Sequence, residues 1–343
     1  MKKICVVGAG AVGGNIAVRL ANSGNEITVI ARGANAEAIR QRGLVLKMPG
    51  ATLSAHPRVC ENMREAGEHE VVFVAVKAHS LAEIADDLPS LCGPDTPVVF
   101  IINGIPWWYP LGGAKLAYPW PDLNYLDPAK ALETKLGIGR VIGTVVYAGN
   151  SLIEPGVVQS AAAAAGTISI GDPNLSGDPN GARAARLASV GQMLEAAGYK
   201  APIAADIRQA AWMKLVGSNL AAMPICTLLG KPLAVFSQNA ELAALNRAML
   251  YEGLAIAAAW GYVLPINPEG EQDPRLLTNP HKPSMTQDFE RARMLEIDPI
   301  LTAAQRMARA AGVPTPNFDA VMALLKQRAS DAGLYIQLPR RVS

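Results

Sequence analysis

Lys214, Ser284 and Glu296 are the residues whose types could do chemistry together. Lys214 lies in the run Asp206–Asn219, beside an apolar stripe of Trp212, Leu215 and Val216 at helical spacing. An ammonium so close to an apolar stripe is unusual. Partial burial would lower its pKa from ~10.4 and make it a useful proton donor. Reduction of a ketone needs such a donor beside the carbonyl oxygen as hydride arrives. A surface lysine that lays its stem on the stripe explains the same spacing, and both readings stay open here. Ser284 and Gln287 have the spacing of a capping box at a helix start. A hydroxyl there also suits a carboxylate ligand. Asp298-Pro299 reads as N-cap and first residue of the last long helix. Glu296 then falls in the connection just before it, where it can hydrogen-bond a hydroxyl or simply sit near a helix dipole.

The elements that must position these groups begin at the N-terminus. Lys3–Val7 reads as a short buried strand. Gly8-Ala9-Gly10-Ala11-Val12-Gly13 follows, with its three glycines in GxGxxG spacing, then a helix ended by Ser23-Gly24-Asn25 and a strand from Ile27 to Ala31. In such a βαβ unit Gly8 permits the tight turn, Gly10 lets backbone approach a pyrophosphate, and Gly13 lets helix pack on strand. The helix N-terminus offers N–H groups and a positive dipole end to phosphate. Where an NAD site carries Asp or Glu after the second strand, this chain has Arg32, which suits a 2′-phosphate and points to NADP(H). Strands Val71–Val76 and Val98–Ile102 end at Lys77 and Asn103, which places both beyond the carboxyl ends of the sheet where ligands lie. His79 is a weaker candidate and reads as a helix-start residue.

Segment 105–136 holds three of the five tryptophans and many prolines, so it reads as a structured loop. It could be a wall over a pocket, a satellite hydrophobic cluster or an interface. Val141–Ala148, Gly156–Gln159 and Thr167–Ile170 read as strands and Ala182–Ala197 as a helix. From Asp206 the pattern is helical. The expected fold is therefore an α/β Rossmann domain over 1–203 and an all-α domain over 204–343. With 343 residues, 50% apolar and 17% charged, the chain is globular rather than disordered. A net charge of +2 offers nothing to nucleic acid or an anionic membrane. Cys5, Cys60, Cys92 and Cys226 are scattered, without metal-type spacing, and read as reduced thiols. No apolar stretch of ~18–20 residues is evident, so the expected location is the cytoplasm.

Together, Gly8–Gly14, Ala31-Arg32-Gly33, Val76-Lys77-Ala78, Asn103-Gly104, Trp212-Met213-Lys214-Leu215, and Ser284-Met285 with Asp288 and Glu296 resemble the ketopantoate reductase family. The resemblance spans most of the chain. It implies NADPH-dependent reduction of a 2-keto acid to a 2-hydroxy acid in a cleft between the two domains, most simply 2-dehydropantoate to pantoate in pantothenate biosynthesis. It implies Lys214 as general acid and Glu296 as its catalytic partner. Asn103, Ser218 or Asn219, Ser284 and Asp288 would contact substrate. Gly8, Ala9, Gly10, Ala11, Val12, Gly13, Arg32, Lys77, Asn103 and Glu296 would contact the cofactor. No metal is implied, and a homodimer is.

One departure from the family pattern is informative. The family helix usually carries Asn four residues after the lysine and a second Asn four later, before a Pro. Here Ser218 is fourth, Asn219 fifth, and Met223 precedes Pro224. On a regular helix the fifth residue sits about 140° away from the first and the fourth about 40°. Asn219 can share the face of Lys214 only if the helix carries a one-residue π-bulge, so a bulge is predicted there. A bulkier keto acid than ketopantoate is one rival reading. A β-hydroxyacid dehydrogenase type is another, although its glycine-rich approach to the lysine is missing. A non-catalytic NADP-sensing protein is the third.

Overall fold

In a computed structural model, residues 1–174, 181–269 and 280–336 are described. The chain divides into two compact units: Met1–Ala114 with Asn124–Ala210, and Lys115–Leu123 with Ala211–Ser343.

The first unit is built on a seven-stranded sheet. Its strands are β1 (Lys3–Val7), β2 (Glu26–Ile30), β5 (Arg58–Cys60), β6 (Val71–Val74), β7 (Val98–Phe100), β8 (Val141–Tyr147) and β11 (Thr167–Gly171), in the order β11-β8-β7-β6-β1-β2-β5. All neighbours are parallel except β11, which runs antiparallel to β8. Beyond exposed Lys3 at the start of β1, the central strands are continuous apolar runs, buried along their length, as parallel strands covered on both faces must be. β6 and β7 stop two residues earlier than their apolar runs suggest, so Lys77 and Asn103 sit just past the strand ends.

A second, four-stranded sheet was not expected. It joins β3 (Leu44–Met48), β4 (Ala51–Ala55), β9 (Asn150–Glu154) and β10 (Val157–Ser160) in the order β4-β3-β10-β9. Helix α1 (Ala11–Asn22) packs against strands of both sheets and is buried from Gly13 to Leu20. That placement puts polar groups in the interior. Asn15 Oδ1 accepts from Arg19 Nε at 2.9 Å and from Tyr199 Oη at 2.7 Å, and its Nδ2 donates to Asn150 Oδ1 at 2.7 Å. Each side chain satisfies another, which is the condition for burying them. Helices α2 (Gly33–Arg42) and α3 (Ala182–Ala196) also belong to the unit.

Segment 105–111 proves to be core. Trp107, Trp108 and Tyr109 are buried; Trp107 meets the Phe100 ring edge-on at 5.5 Å, while Trp108 and Tyr109 flank the guanidinium of Arg208. Arg208 donates to the carbonyls of Tyr109 (2.8 Å), Pro173 (2.9 Å) and Leu111 (2.6 Å), and lies 5.7 Å from the ring centroids of Trp108 and Tyr109. This clamp, with Ala204 N–H donating to the Ile170 carbonyl of β11 at 2.8 Å, carries the first unit to residue 210, beyond the boundary near 203 suggested by the sequence. Residues 115–123 belong to the helical unit, because Tyr118 and Trp120 meet the Trp260 ring edge-on at 5.6 and 6.1 Å.

The second unit is helical, with no strand among its described residues. α4 (Ile207–Lys214) enters it and passes directly into a π-helical turn over Leu215–Asn219. Next come α5 (Ala222–Leu229), α6 (Ala240–Ala259), α7 (Ser284–Glu290), a second π turn over Asp298–Thr302, α8 (Ala303–Ala310) and α9 (Pro316–Asp331). α5 packs on α7 and α9, and the two π turns pack on one another. Gly253 lets α6 lie close to the first π turn, since a Cβ there would stand 3.2 Å from Val216 Cγ1. The run Ile207–Leu229 has the length and apolarity of a membrane span, contrary to the expectation that none exists, but 61% of its apolar window is buried inside the protein.

Two caps differ from expectation. Ser284 does not cap its helix. Pro283, fixed at φ −52°, occupies the N-cap and accepts from Gln287 N–H at 3.1 Å, while the Gln287 amide donates to the Lys282 carbonyl. Ser284 is thereby the first helical residue, and its side chain is exposed. Nor does Asp298 cap the last long helix. Ile297 is already helical, at φ −62° and ψ −47°, so Asp298-Pro299 lies inside a π turn, and the last long helix starts at Pro316.

Candidate active site

In the first unit the glycine turn has the geometry its spacing requires. Gly8 has φ +95°, and a Cβ on it would press on the Ala75 carbonyl oxygen at 2.9 Å. A Cβ on Gly13 would lie 2.0 Å from the Gly8 carbonyl oxygen, so helix and strand could not approach. Gly10 is different: nothing lies within 4 Å of where its Cβ would be. Packing therefore leaves that position open, which fits a glycine kept bare for a ligand rather than for the fold. No side chain caps α1 and no acid stands in its first turn, so its positive end faces this opening without competition. Asn35 was missed from the sequence. Its amide donates to the Ala9 carbonyl at 2.9 Å and its Oδ1 accepts from Gly156 N–H at 2.8 Å, tying the turn to the second sheet. The only signal was an Asn two residues after Gly33.

Arg32 is exposed at the N-cap of α2, with Glu83 Oε2 3.8 Å from its Nη1. Residues 30–34 contain no acid. Lys77 and Asn103 are half-buried past the ends of β6 and β7, and His79 is exposed in a short helical turn. These groups share the carboxyl edge of the sheet.

In the second unit the π turn is present where the Lys214–Asn219 spacing predicts it. Leu220 N–H reaches back five residues to the Leu215 carbonyl at 2.9 Å. Asn219 is buried, whereas Gly217 and Ser218 are exposed. Trp212, Leu215 and Val216 are buried, so the apolar stripe is real, and Lys214 is half-buried beside it. Burial pushes the Lys214 ammonium down to about 8, and the Glu296 carboxylate opposes that fall. Glu296 itself is half-buried between buried Leu295 and Ile297. α7 is seated by a buried contact between Thr286 and Thr227 hydroxyls, 3.1 Å apart, and carries Ser284 and half-buried Asp288. Met223, in place of an asparagine, is buried in α5. No cluster of metal-ligating side chains exists among the described residues. The cysteines form no disulfide, and burial holds the Cys226 thiol up at about 12, which disfavours its thiolate.

A glycine-rich βαβ turn joined to a helical unit with a depressed lysine fits an oxidoreductase that acts on CH–OH groups with a nicotinamide cofactor. Comparison narrows this further. Residues 4–174 match the ketopantoate reductase PanE/ApbA family and residues 206–329 match the family's C-terminal region. A 2-dehydropantoate 2-reductase of Mesorhizobium japonicum is 37% identical over 97% of this chain and 99% of its own. The crystal structure of 2-dehydropantoate 2-reductase from Geobacter metallireducens GS-15 superposes with TM-score 0.79 at 26% identity, covering 95% of this chain and 99% of that one. D-mandelate dehydrogenase bound to NADH and anilino(oxo)acetate shares the fold, with TM-score 0.78 at 22% identity over 97% of this chain and 100% of that one. This chain belongs to the ketopantoate reductase family.

Proposed function

We propose that this protein reduces a 2-keto acid to a 2-hydroxy acid with NADPH, and that the substrate is 2-dehydropantoate, giving pantoate for pantothenate biosynthesis. The observation that carries the reading is Lys214: a half-buried lysine at the start of a π turn, brought down to about 8, with Glu296 as its counter-charge.

The bare position at Gly10 and the uncapped α1 N-terminus would take the pyrophosphate, with Gly8, Ala9, Ala11, Val12 and Gly13 supplying backbone. Arg32 would hold the 2′-phosphate, where a carboxylate would repel it. Lys77 and Asn103 would hold the nicotinamide end. When bound, the reduced nicotinamide supplies hydride to the keto carbon. Lys214 Nζ donates a proton to the keto oxygen as negative charge develops on it. A pKa of about 8 suits both halves of this duty, since the lysine is mostly protonated at pH 7 and yet gives up its proton readily. Glu296 steadies the ammonium and accepts from a substrate hydroxyl, and it also touches the cofactor. Ser284 and Asp288 on α7 and Asn219 on the π turn orient the acid. Ser218, exposed where Asn219 is buried, has no part in it.

A second reading has one observation in its favour. Met223 replaces a polar contact with a thioether, which suits a keto acid with a bulkier apolar side chain. A homodimer in the cytoplasm completes the proposal, supported by the dimeric ketopantoate reductase of Staphylococcus aureus, which shares the fold. A panel of 2-keto acids followed by cofactor absorbance tests it. Turnover should be highest with ketopantoate and NADPH, Arg32→Ala should remove the preference over NADH, and Lys214→Ala should abolish turnover while keeping cofactor affinity. Cofactor binding without turnover on any acid would refute the reductase reading in favour of a sensor, and an NADH preference in the parent would refute the role of Arg32.

A further inference from the structure

The segment that carries Glu296 is held from outside. Leu295, immediately before it, donates its N–H to the Leu334 carbonyl at 2.9 Å. Asp298, two residues after it, accepts from the Tyr335 hydroxyl at 2.9 Å and from the Thr302 hydroxyl at 2.7 Å. The two tethers come from adjacent residues, Leu334 and Tyr335, and reach the chain on either side of Glu296. They are themselves anchored. α9 ends in a reversal at Gly333, φ +69°, whose N–H donates to the Ser330 carbonyl at 2.9 Å, while Leu334 N–H donates to Ala329 at 2.8 Å. Ala329 is fully buried, so the reversal is fixed to the core of the helical unit. Asp298 opens a π turn, a backbone form with poorer hydrogen-bond geometry than the α-helix, which gains from side-chain support.

We infer that Tyr335 is a positioning residue: its hydroxyl, with the Leu334 carbonyl, fixes the turn on which Glu296 stands and so sets the distance from Glu296 to Lys214. Burial and the neighbouring Asp298 carboxylate hold the Tyr335 phenol well above its ordinary range, so it stays a proton donor throughout the working pH range. The two π turns pack on each other, one following Lys214 and the other following Glu296, so a shift in the second is felt at the first. This rests on the role proposed above for Glu296.

The test uses the full chain with NADPH and the best keto acid of the panel, comparing the parent, Tyr335→Phe, Glu296→Gln and the double variant. Tyr335→Phe keeps the ring and removes only the hydroxyl. It should bind NADPH as the parent does, and lose about tenfold in kcat/KM for the keto acid, as expected for a misplaced catalytic group. Its high-pH limb should move below the parent's midpoint near 8, because the carboxylate that opposes the fall in Lys214 is less well held. Glu296→Gln should show both effects more strongly, and the double variant should be no worse than Glu296→Gln alone. A Tyr335→Phe enzyme with the parental pH limb and kcat/KM, or losses that simply add in the double variant, overturns the inference. If Glu296→Gln is itself silent, the proposed role of Glu296 fails and this inference falls with it. If Glu296→Gln is impaired and Tyr335→Phe is not, only the positioning role is lost.

Discussion

Replacing Lys214 by Met should make the protein more stable at neutral pH while removing its activity. In the folded chain burial holds this ammonium at about 8, against an ordinary 10.5. At about 1.4 kcal/mol per pH unit, that difference is about 3 kcal/mol of folding free energy set against the charged form. The sign follows from proton counts. Between pH 8 and 10.5 the unfolded chain binds more protons at this site than the folded one, so stability contributed by the site rises with pH across that window. Below about 8 both states are protonated and the full cost of burying the charge is present. Methionine has a similar length and no charge, so it avoids that cost. Against this, Glu296 loses its cation, which takes back part of the gain. The expected net effect is a stabilisation of about 1–3 kcal/mol at pH 7, shrinking toward zero by about pH 10. Urea unfolding of parent and variant at pH 7 and pH 10 measures it. A variant less stable than the parent at pH 7, or a difference that does not shrink with pH, would refute the claim that the lysine is held charged against its environment.

Other substitutions separate fold from ligand. Gly10→Ala should fold with an unchanged melting temperature, since its Cβ meets nothing within 4 Å, yet weaken cofactor binding at least tenfold by titration; equal affinity would sink the phosphate role. Gly13→Ala, with a Cβ 2.0 Å from a carbonyl oxygen, should lower the melting temperature sharply. Ala292 closes the Schellman turn after α7 at φ 49°, with Arg293 N–H on the Asp288 carbonyl at 2.9 Å, so Ala292→Gly should stabilise by about 0.5–1 kcal/mol in urea titration. Arg208→Leu leaves two buried carbonyls and one partly buried carbonyl without their donor and should cost about 3 kcal/mol or more by the same assay. The rate of keto acid reduction should fall above pH 8, as Lys214 loses its proton, and the reverse oxidation should rise through the same midpoint.

The parts legible in the sequence are those where one physical demand dominates. The βαβ start was legible because strand burial, glycine spacing and helix period agree. The π turn was legible from a mismatch, one residue too many between Lys214 and Asn219. The small sheet was not legible. β9 lacks apolar alternation, and β4 alternates only through Ala51, Leu53 and Ala55, of which Ala55 alone is buried, although Pro49-Gly50, with Gly50 at φ +76°, marks the hairpin between β3 and β4. The two caps misled because local motifs were overridden: Pro283 occupied the position meant for Ser284, and the helix before Asp298 had already begun. Arg208 gave no signal at all. Nothing in a helical Asp206-Ile207-Arg208 run says that its guanidinium will organise a loop about a hundred residues earlier.

The π turn after Lys214 also bears on how this helix could change length. Adding one residue to a regular helix rotates everything beyond it by about 100° and scrambles the buried face. A π turn absorbs the extra residue locally, and here the surplus is exposed at Gly217 and Ser218. The turn therefore accommodates one residue more than a regular α-helix would place between Lys214 and a side chain on its face. Deleting Ser218 should restore an ordinary helix, with Asn four places after the lysine, and leave the downstream packing of α5 in register. In most helices a single deletion is among the most damaging changes; in this one it is a route back.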